Sequence, residues 1–281
     1  MSRAALRADF FEGARGRRLV VARRPDRASR GTVLVVPPFA EEMNKARRMV
    51  AEVSEQLAAS GVASVIVDLF GTGDSDGEFA DATWSDWLDD LAAADAWSTR
   101  NELPVTAILA IRLGCPLAAA YLQRRGRSID RWVFWQPVLD GARYLDQFLR
   151  LRVAAGMFDE GPKVTVADLR RQVQEQGVLE VAGYDITQRL LADLDAVKLR
   201  DAMGSSIPPL HWVELARSTT TPVPVPVTRL VDELVRGGAN VRLESVVSEP
   251  IWTATEIVVS PALAQSTVAA FTGAPQPVQT T

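Results

Sequence analysis

The chain has 281 residues, 47% of them apolar and 23% charged, with a net charge of −4. That length accommodates one large core, or one core carrying an inserted subdomain, and so mild a charge gives no reason to expect nucleic acid or an anionic membrane as a partner. A single cysteine excludes an internal disulfide framework, and one cysteine with one histidine cannot furnish an ordinary zinc site, so neither metal nor other cofactor is expected.

No apolar stretch of signal-peptide length follows Met1. The Arg-rich opening reads instead as a strand with charged ends, Arg17 to Ala22, running into a turn at Pro25-Asp26-Arg27, with an N-terminal hairpin adding antiparallel edge strands. Gly31 to Val36 is a β-branched run closed by Pro37-Pro38, the pattern of a buried strand. Glu42 to Ser60 has helical spacing through Met43, Ala46, Val50, Val53 and Leu57 and stops at Gly61. Val62 to Leu69 is a second buried strand, ending at Asp68 and a glycine-rich turn. Thr83 to Ser98 predicts a helix with Trp84, Trp87, Leu88 and Leu91 on one face; Asp86, Asp89 and Asp90 are assigned to a solvated side. Val105 to Ala110 and Arg131 to Gln136 bring the strands to four. Their alternation with helices implies right-handed crossovers and a mostly parallel sheet with helices on both faces.

From Gly141 to Ser206 the rhythm changes. Ala142 to Met157 and Thr187 to Met203 read as helices around a short β segment, Val178 to Ala182, and no main-sheet strand is evident. We expect residues 141–206 to be a mainly helical cap inserted into a core of residues 1–140 and 207–271. The sheet resumes at Leu210 to Leu215, followed by a Thr/Pro/Val loop, a helix at Val227 to Arg236 and a last strand at Asn240 to Val247. Residues 272–281 read as a disordered tail. The longest apolar run, Val105 to Leu122, is interrupted by Arg112 and Pro116, which argues against a membrane span and for a cytoplasmic protein.

Two turns bear on chemistry. Asp68 to Ser75, D-x-x-G-x-G-x-S, follows a strand but does not make a dinucleotide fingerprint, because the helix starts well after it and this is not the first strand–helix unit. ILAIRLGCPLAAAYL, residues 108–122, reads as strand, sharp turn and helix. That is the shape of a G-x-S-x-G nucleophile elbow, yet the five residues are Ala110, Ile111, Arg112, Leu113 and Gly114.

These features resemble the α/β-hydrolase superfamily. GTVLVVPPFAEE stands where those proteins put the oxyanion-hole loop, RWVFWQPV leads into the cap, PPLHWVEL precedes the triad acid, and VRLESVVSEPIW precedes the triad histidine. More narrowly, VVPPFAEEMNKARRM, DLFGTGDSDGEF, WSDWLDDL, IRLGCPLAA, WQPVLDG, QFLRLRVAA and VAGYDIT resemble the exosortase A system-associated hydrolase 2 family, over roughly residues 30–270. The resemblance implies an α/β-hydrolase fold with an inserted cap and a bacterial exopolysaccharide and protein-sorting setting. It also implies ester or thioester substrates, with an acyl carrier protein as a partner.

The triad itself does not carry over. Ser-His-acid catalysis needs a hydroxyl, an imidazole to take its proton and a carboxylate to orient the ring. Arg112 occupies the elbow and can be neither nucleophile nor base near neutral pH. Glu249-Pro250-Ile251-Trp252 falls where the histidine belongs, and the loop Ala216 to Val227 has no carboxylate. His211 lies inside an apolar strand and reads as a hydrogen-bonded core residue; Cys115, just past the elbow, reads as a small buried hydrophobe.

A cation at a helix N-terminus opposes the macrodipole and must be paired or solvated, so Arg112 is expected to meet Glu41 or Glu42. The candidate ligand-binding set is Arg112, Leu113, Glu41, Ser75 and Gln136, with Asp68 and Asp74 as neighbours and Ser75 as the one alternative hydroxyl nucleophile. Three readings follow. The first is a degenerate hydrolase homologue that binds an acyl or anionic ligand, or a partner, near Arg112. The second is an ester or thioester hydrolase or acyltransferase using Glu41 or Glu42 as base and Arg112 as an oxyanion clamp. The third is a scaffold docking a partner through the cap.

Overall fold

The computed structural model describes residues 5–126, 128–156, 163–254 and 256–273. Strands β1 (Ala5–Gly13) and β2 (Gly16–Arg24) form the opening antiparallel hairpin. Then β3 (Thr32–Val36), helix α1 (Glu41–Ala59), β4 (Ala63–Val67), α2 (Trp84–Arg100), β5 (Val105–Ile111), α3 (Gly114–Arg125) and β6 (Arg131–Trp135) alternate as their sequence patterns indicate. Together with β9 (Leu210–Ala216) and β10 (Val241–Val247) they build one eight-stranded sheet, ordered β1-β2-β4-β3-β5-β6-β9-β10. Only the β1–β2 and β2–β4 pairings are antiparallel; every other pairing is parallel.

The central strands are apolar throughout because both faces are covered, and alternate residues feed two cores. Val33, Val35, Leu109, Ile111, Val133 and Trp135 pack with α1 and with α9 (Pro261–Thr272). Leu34, Val36, Ile108, Ala110, Trp132 and Phe134 pack with α2, α3 and α8 (Val225–Arg236). Helix α9 has no counterpart in the sequence reading, since its small, uncharged residues leave almost no amphipathic contrast. Its start is nonetheless marked, as Ser260 accepts from the Leu263 amide and Pro261 stands at the first helical position. It also corrects the tail, because Thr272 closes this helix; residues 274–281 of the expected disordered tail lie outside the described residues.

The acidic side assigned to α2 needs a second correction. Asp90 is buried, at 2% exposure, and takes Arg18 Nε at 2.7 Å and the Phe70 amide at 2.7 Å. Arg18 is itself buried, so this ion pair ties the hairpin to α2 inside the core. Asp86 completes a capping box with Thr83, and Asp89 alone remains on the exposed side.

Between β6 and β9 lie α4 (Gly141–Ala155), α5 (Val166–Gln176), the hairpin β7 (Val178–Val181) and β8 (Tyr184–Thr187), α6 (Gln188–Asp195) and α7 (Leu199–Met203), none of which contributes to the main sheet. The expected helix Thr187 to Met203 is two helices. Its chain breaks where Val197 accepts from the Gly141 amide and Leu199 donates to Leu139, and Lys198 Nζ pairs with Asp140 at 2.7 Å. Helix α5 has no counterpart in the sequence reading, because polar and charged residues dominate it and only Leu169 and Val173 of its eleven residues are buried. Arg170 joins α5 to α4 and α6 through Asp146, Asp195 and the Ala142 carbonyl. Met157, the expected end of α4, lies outside the described residues.

Candidate functional site

Arg112 sits between the end of β5 and the start of α3 with φ of 54°, in the left-handed region that disfavours every residue except glycine. The surrounding backbone holds it there. Its amide donates to the Trp135 carbonyl at 3.0 Å, and its own carbonyl accepts from Cys115 at 3.1 Å and Val138 at 3.2 Å. The turn also explains Gly114, since a Cβ there would meet the Pro37 carbonyl oxygen and stand 2.8 Å from that of Val36. The elbow is thus built in full, with a guanidinium where a nucleophile would project.

That guanidinium is enclosed. Nε donates to Glu42 Oε1 at 3.3 Å and Nη1 to the Gln136 carbonyl at 3.1 Å. The Tyr144 and Trp252 rings lie against it, with centroids 5.6 and 5.3 Å from Cζ, within cation–π range. The side chains of Arg112 and Glu42 keep 14% and 12% exposure. The outer nitrogen, Nη2, donates to nothing among the described residues and is not sealed from solvent. Glu42 Oε2, the Tyr144 hydroxyl and Gln136 Oε1, on three residues that touch Arg112, are buried without a hydrogen bond. Tyr144 lies against Glu42, but the two do not complete a hydrogen bond of ordinary geometry.

Electrostatically the site holds one cation and two buried carboxyls. Burial raises the Glu42 carboxyl above its usual range, against the opposing pull of Arg112. Burial likewise raises Glu214, whose Oε1 accepts from Trp212 Nε1 at 2.7 Å and which is also coupled to Arg112. Burial pulls the Arg112 guanidinium down, but Glu42, with smaller contributions from Tyr144 and Cys115, more than offsets this and the net shift is upward. Arg112 therefore stays charged, and the protons that can move belong to the two acids.

Of the two glutamates proposed for Arg112, Glu42 makes the contact; Glu41 pairs instead with Lys45 at 2.9 Å. Gln136 reaches Arg112 through its backbone, and Leu113 contributes a buried side chain beside the elbow. Ser75 makes no contact with this group. Its hydroxyl donates to the Asp68 carbonyl at 2.6 Å and accepts from the Leu19 amide at 2.9 Å, which commits it to the turn and takes it out of consideration as a nucleophile. Asp68 is tied to Arg47 and to the Asp74 amide in the same turn. Cys115 is fully buried and burial pushes its thiol well up, which suppresses the thiolate. His211 is buried, with Nε2 2.8 Å from Glu244 Oε2.

Three members of the site were not assigned from sequence. Trp252, in the segment where the resemblance to α/β-hydrolases puts a histidine, brings an indole face to the cation. Glu214 lies within β9, two residues before the loop searched for a carboxylate. Tyr144 comes from α4, outside the sheet, and nothing in its local sequence indicates Arg112.

Beside the elbow, Pro38, Phe39, Ala40, Trp87, Leu113 and Leu117 line an apolar pocket of about 20 Å³. That is room for roughly one water molecule. No helix among the described residues is long and apolar enough to cross a membrane.

A family model described as serine aminopeptidase, S33 matches residues 27–185. No curated protein sequence matches the chain. Solved structures of α/β-hydrolase fold do. Est1E from Butyrivibrio proteoclasticus, with ferulic acid bound, superposes with a TM-score of 0.65 at 14% identity, over 94% of this chain and 97% of that one. Brefeldin A esterase, a bacterial homologue of human hormone-sensitive lipase, gives 0.58 at 17%, over 97% and 76%. The thioesterase domain from the curacin biosynthetic pathway gives 0.52 at 15%, over 87% and 93%. At these identities the likeness is one of fold.

Proposed function

We propose that this chain, which belongs to the serine aminopeptidase S33 family of α/β-hydrolases, uses that fold to bind an acyl ligand and does not hydrolyse esters through its elbow. One observation carries the reading: the left-handed elbow position is held by Arg112, and the guanidinium is engaged by Glu42 at 3.3 Å. No hydroxyl stands there, the neighbouring thiol is buried, and the only histidine of the chain is engaged by Glu244. Without nucleophile and base the two-step acyl transfer has no first step. The pocket bordering Leu113 and Gly114 is apolar in lining, which supports an apolar acyl group over a polar one as the ligand class. The resemblance to exosortase A system-associated hydrolases supports an acyl group delivered by a carrier protein, with residues 141–206 acting as a cap over the elbow.

A second reading draws on Glu42 itself. A buried carboxyl of raised pKa beside a fixed cation is a general base next to an oxyanion clamp, which would make the protein a hydrolase or acyltransferase without a triad. Assays with p-nitrophenyl esters and acyl thioesters separate the two. We expect no turnover above buffer from the wild type, Arg112→Ala or Glu42→Gln. Wild-type turnover abolished in both variants would replace the first reading with the second.

A further inference from the structure

Strand β1 is one edge of the eight-stranded sheet, and it presents apolar side chains to solvent. Leu6 and Phe10 are 59% and 44% exposed. The strand registers put them, with Ala8, on the sheet face that carries Leu19, Val21 and Ile66. An open cavity of about 180 Å³ lies between those three residues and α1. Beyond that helix the apolar face of the hairpin is therefore uncovered, and an edge strand of this kind is a template for another strand.

The backbone of the edge is free as well. On β2, Arg17 exchanges its amide and carbonyl with Asp76, while Leu19 donates to Ser75 Oγ and accepts from the Asp68 amide, so both turn away from β1. Their partners across the hairpin are Glu12 and Phe10. These two point their own N–H and C=O groups at the free edge, and alternation along the strand adds Ala8 and Leu6. The Phe10 amide is held there by Asp9 Oδ1 of its own strand, at 2.9 Å. Among the described residues no strand pairs with this side of β1.

The side chains decide what fits. Across a two-fold axis β1 meets a copy of itself only in registers that set edge-facing residues opposite one another. With Ala8 opposite the partner's Ala8, Leu6 stands opposite the partner's Phe10 and Arg7 opposite the partner's Asp9, each twice. The adjacent allowed registers set Arg7 against the partner's Arg7, or Asp9 against the partner's Asp9, and like charges directly opposite are unfavourable.

We propose that β1 is a dimerisation edge, pairing antiparallel with β1 of a second copy about Ala8 so that one sheet runs through both. Leu6, Ala8 and Phe10 then exchange backbone hydrogen bonds with their counterparts and continue one apolar face across the axis. Arg7 and Asp9, which pair with each other within one copy, re-pair between copies. The same two charges disfavour strands of other sequence, which makes the second copy the fitting occupant. The paired stretch is short, so association depends on concentration.

The test is the mass of the full-length protein by sedimentation velocity, over a roughly hundredfold range of concentration that brackets weak association. The wild type is expected to pass from monomer to dimer. Arg7→Asp sets carboxylate against carboxylate across the axis and Asp9→Arg sets guanidinium against guanidinium, so each variant alone should dissociate at least tenfold more readily. An equimolar mixture of the two variants restores opposite charges at every such position and should dimerise again. Rescue by mixing separates lost pairing from lost folding. A wild type that stays monomeric throughout overturns the proposal. A dimer that neither variant weakens overturns it too, since the contact would then lie elsewhere, as at the opposite edge, β10; so does a mixture that stays monomeric where the wild type does not.

Discussion

Arg112 Nε and Glu42 Oε1 stand 3.3 Å apart across the gap between the β5–α3 elbow and the first turn of α1. That gap is bridged by charge, and the energetics of the pair can be measured directly.

Removing one partner leaves the other buried and unpaired, whereas removing both leaves an apolar gap. Arg112→Ala should cost about 3 kcal/mol of stability by urea denaturation, as breaking buried pairs generally does. Arg112→Met combined with Glu42→Leu should recover most of that loss. A double variant as unstable as the sum of its single variants would show that the pair contributes no coupling.

The backbone at the elbow makes a separate demand. With φ of 54°, position 112 favours glycine over any residue bearing a Cβ, so Arg112→Gly should be more stable than Arg112→Ala by about 1 kcal/mol. Equal stabilities would mean that the left-handed turn is not kept once the guanidinium is gone.

Close approach at Gly114 makes a single added methyl group costly. A Cβ there runs into the Pro37 carbonyl, so Gly114→Ala should lose about 2–3 kcal/mol. The same change at Gly177, where nothing lies within 4 Å but φ is 84°, carries only the backbone penalty, about 1 kcal/mol. Gly114 opens α3 without a positive φ, so a larger loss there than at Gly177 in thermal melts reports the contact itself.

Stability should also depend on pH through Glu214. Burial raises its carboxyl above the ordinary 4.5, outweighing the Trp212 hydrogen bond and Arg112, which both lower it. The folded protein therefore holds this proton more tightly than the unfolded chain does. That contribution is fully present below 4.5 and is lost as pH rises through the folded value. Glu214→Gln keeps an acceptor for Trp212 and has no proton to lose, so its stability relative to wild type should improve between pH 4.5 and 7.5. A constant difference in urea midpoints across that range would sink the argument.

Much of this architecture is legible along the chain because it is periodic. The β-branched runs at 32–36, 63–67 and 105–111 alternate with segments of helical spacing, and that alternation alone implies a parallel sheet covered on both sides. Arg112 at the elbow is legible for a different reason: a guanidinium, a single histidine and a loop without carboxylates are matters of composition at fixed places. What escaped lacks contrast or is non-local. Helix α9 carries a weak stripe, α5 is mostly polar, and Asp90 reads as solvated because its partner, Arg18, is 72 residues away.

The sequence by itself determined that position 112 is an arginine on a strand–turn–helix and that two glutamates, Glu41 and Glu42, follow the strand at 32–36. Local pattern reaches that far, because an elbow is set by its own backbone and a few residues on either side. Only the tertiary structure decided that Glu42 faces the guanidinium while Glu41 turns to Lys45, and that Tyr144, Glu214 and Trp252, from three separate elements, complete the enclosure. The reason is physical: ion pairing, desolvation and the state of a buried proton depend on distances through space, and those are set by how the sheet stacks its helices and not by spacing along the chain.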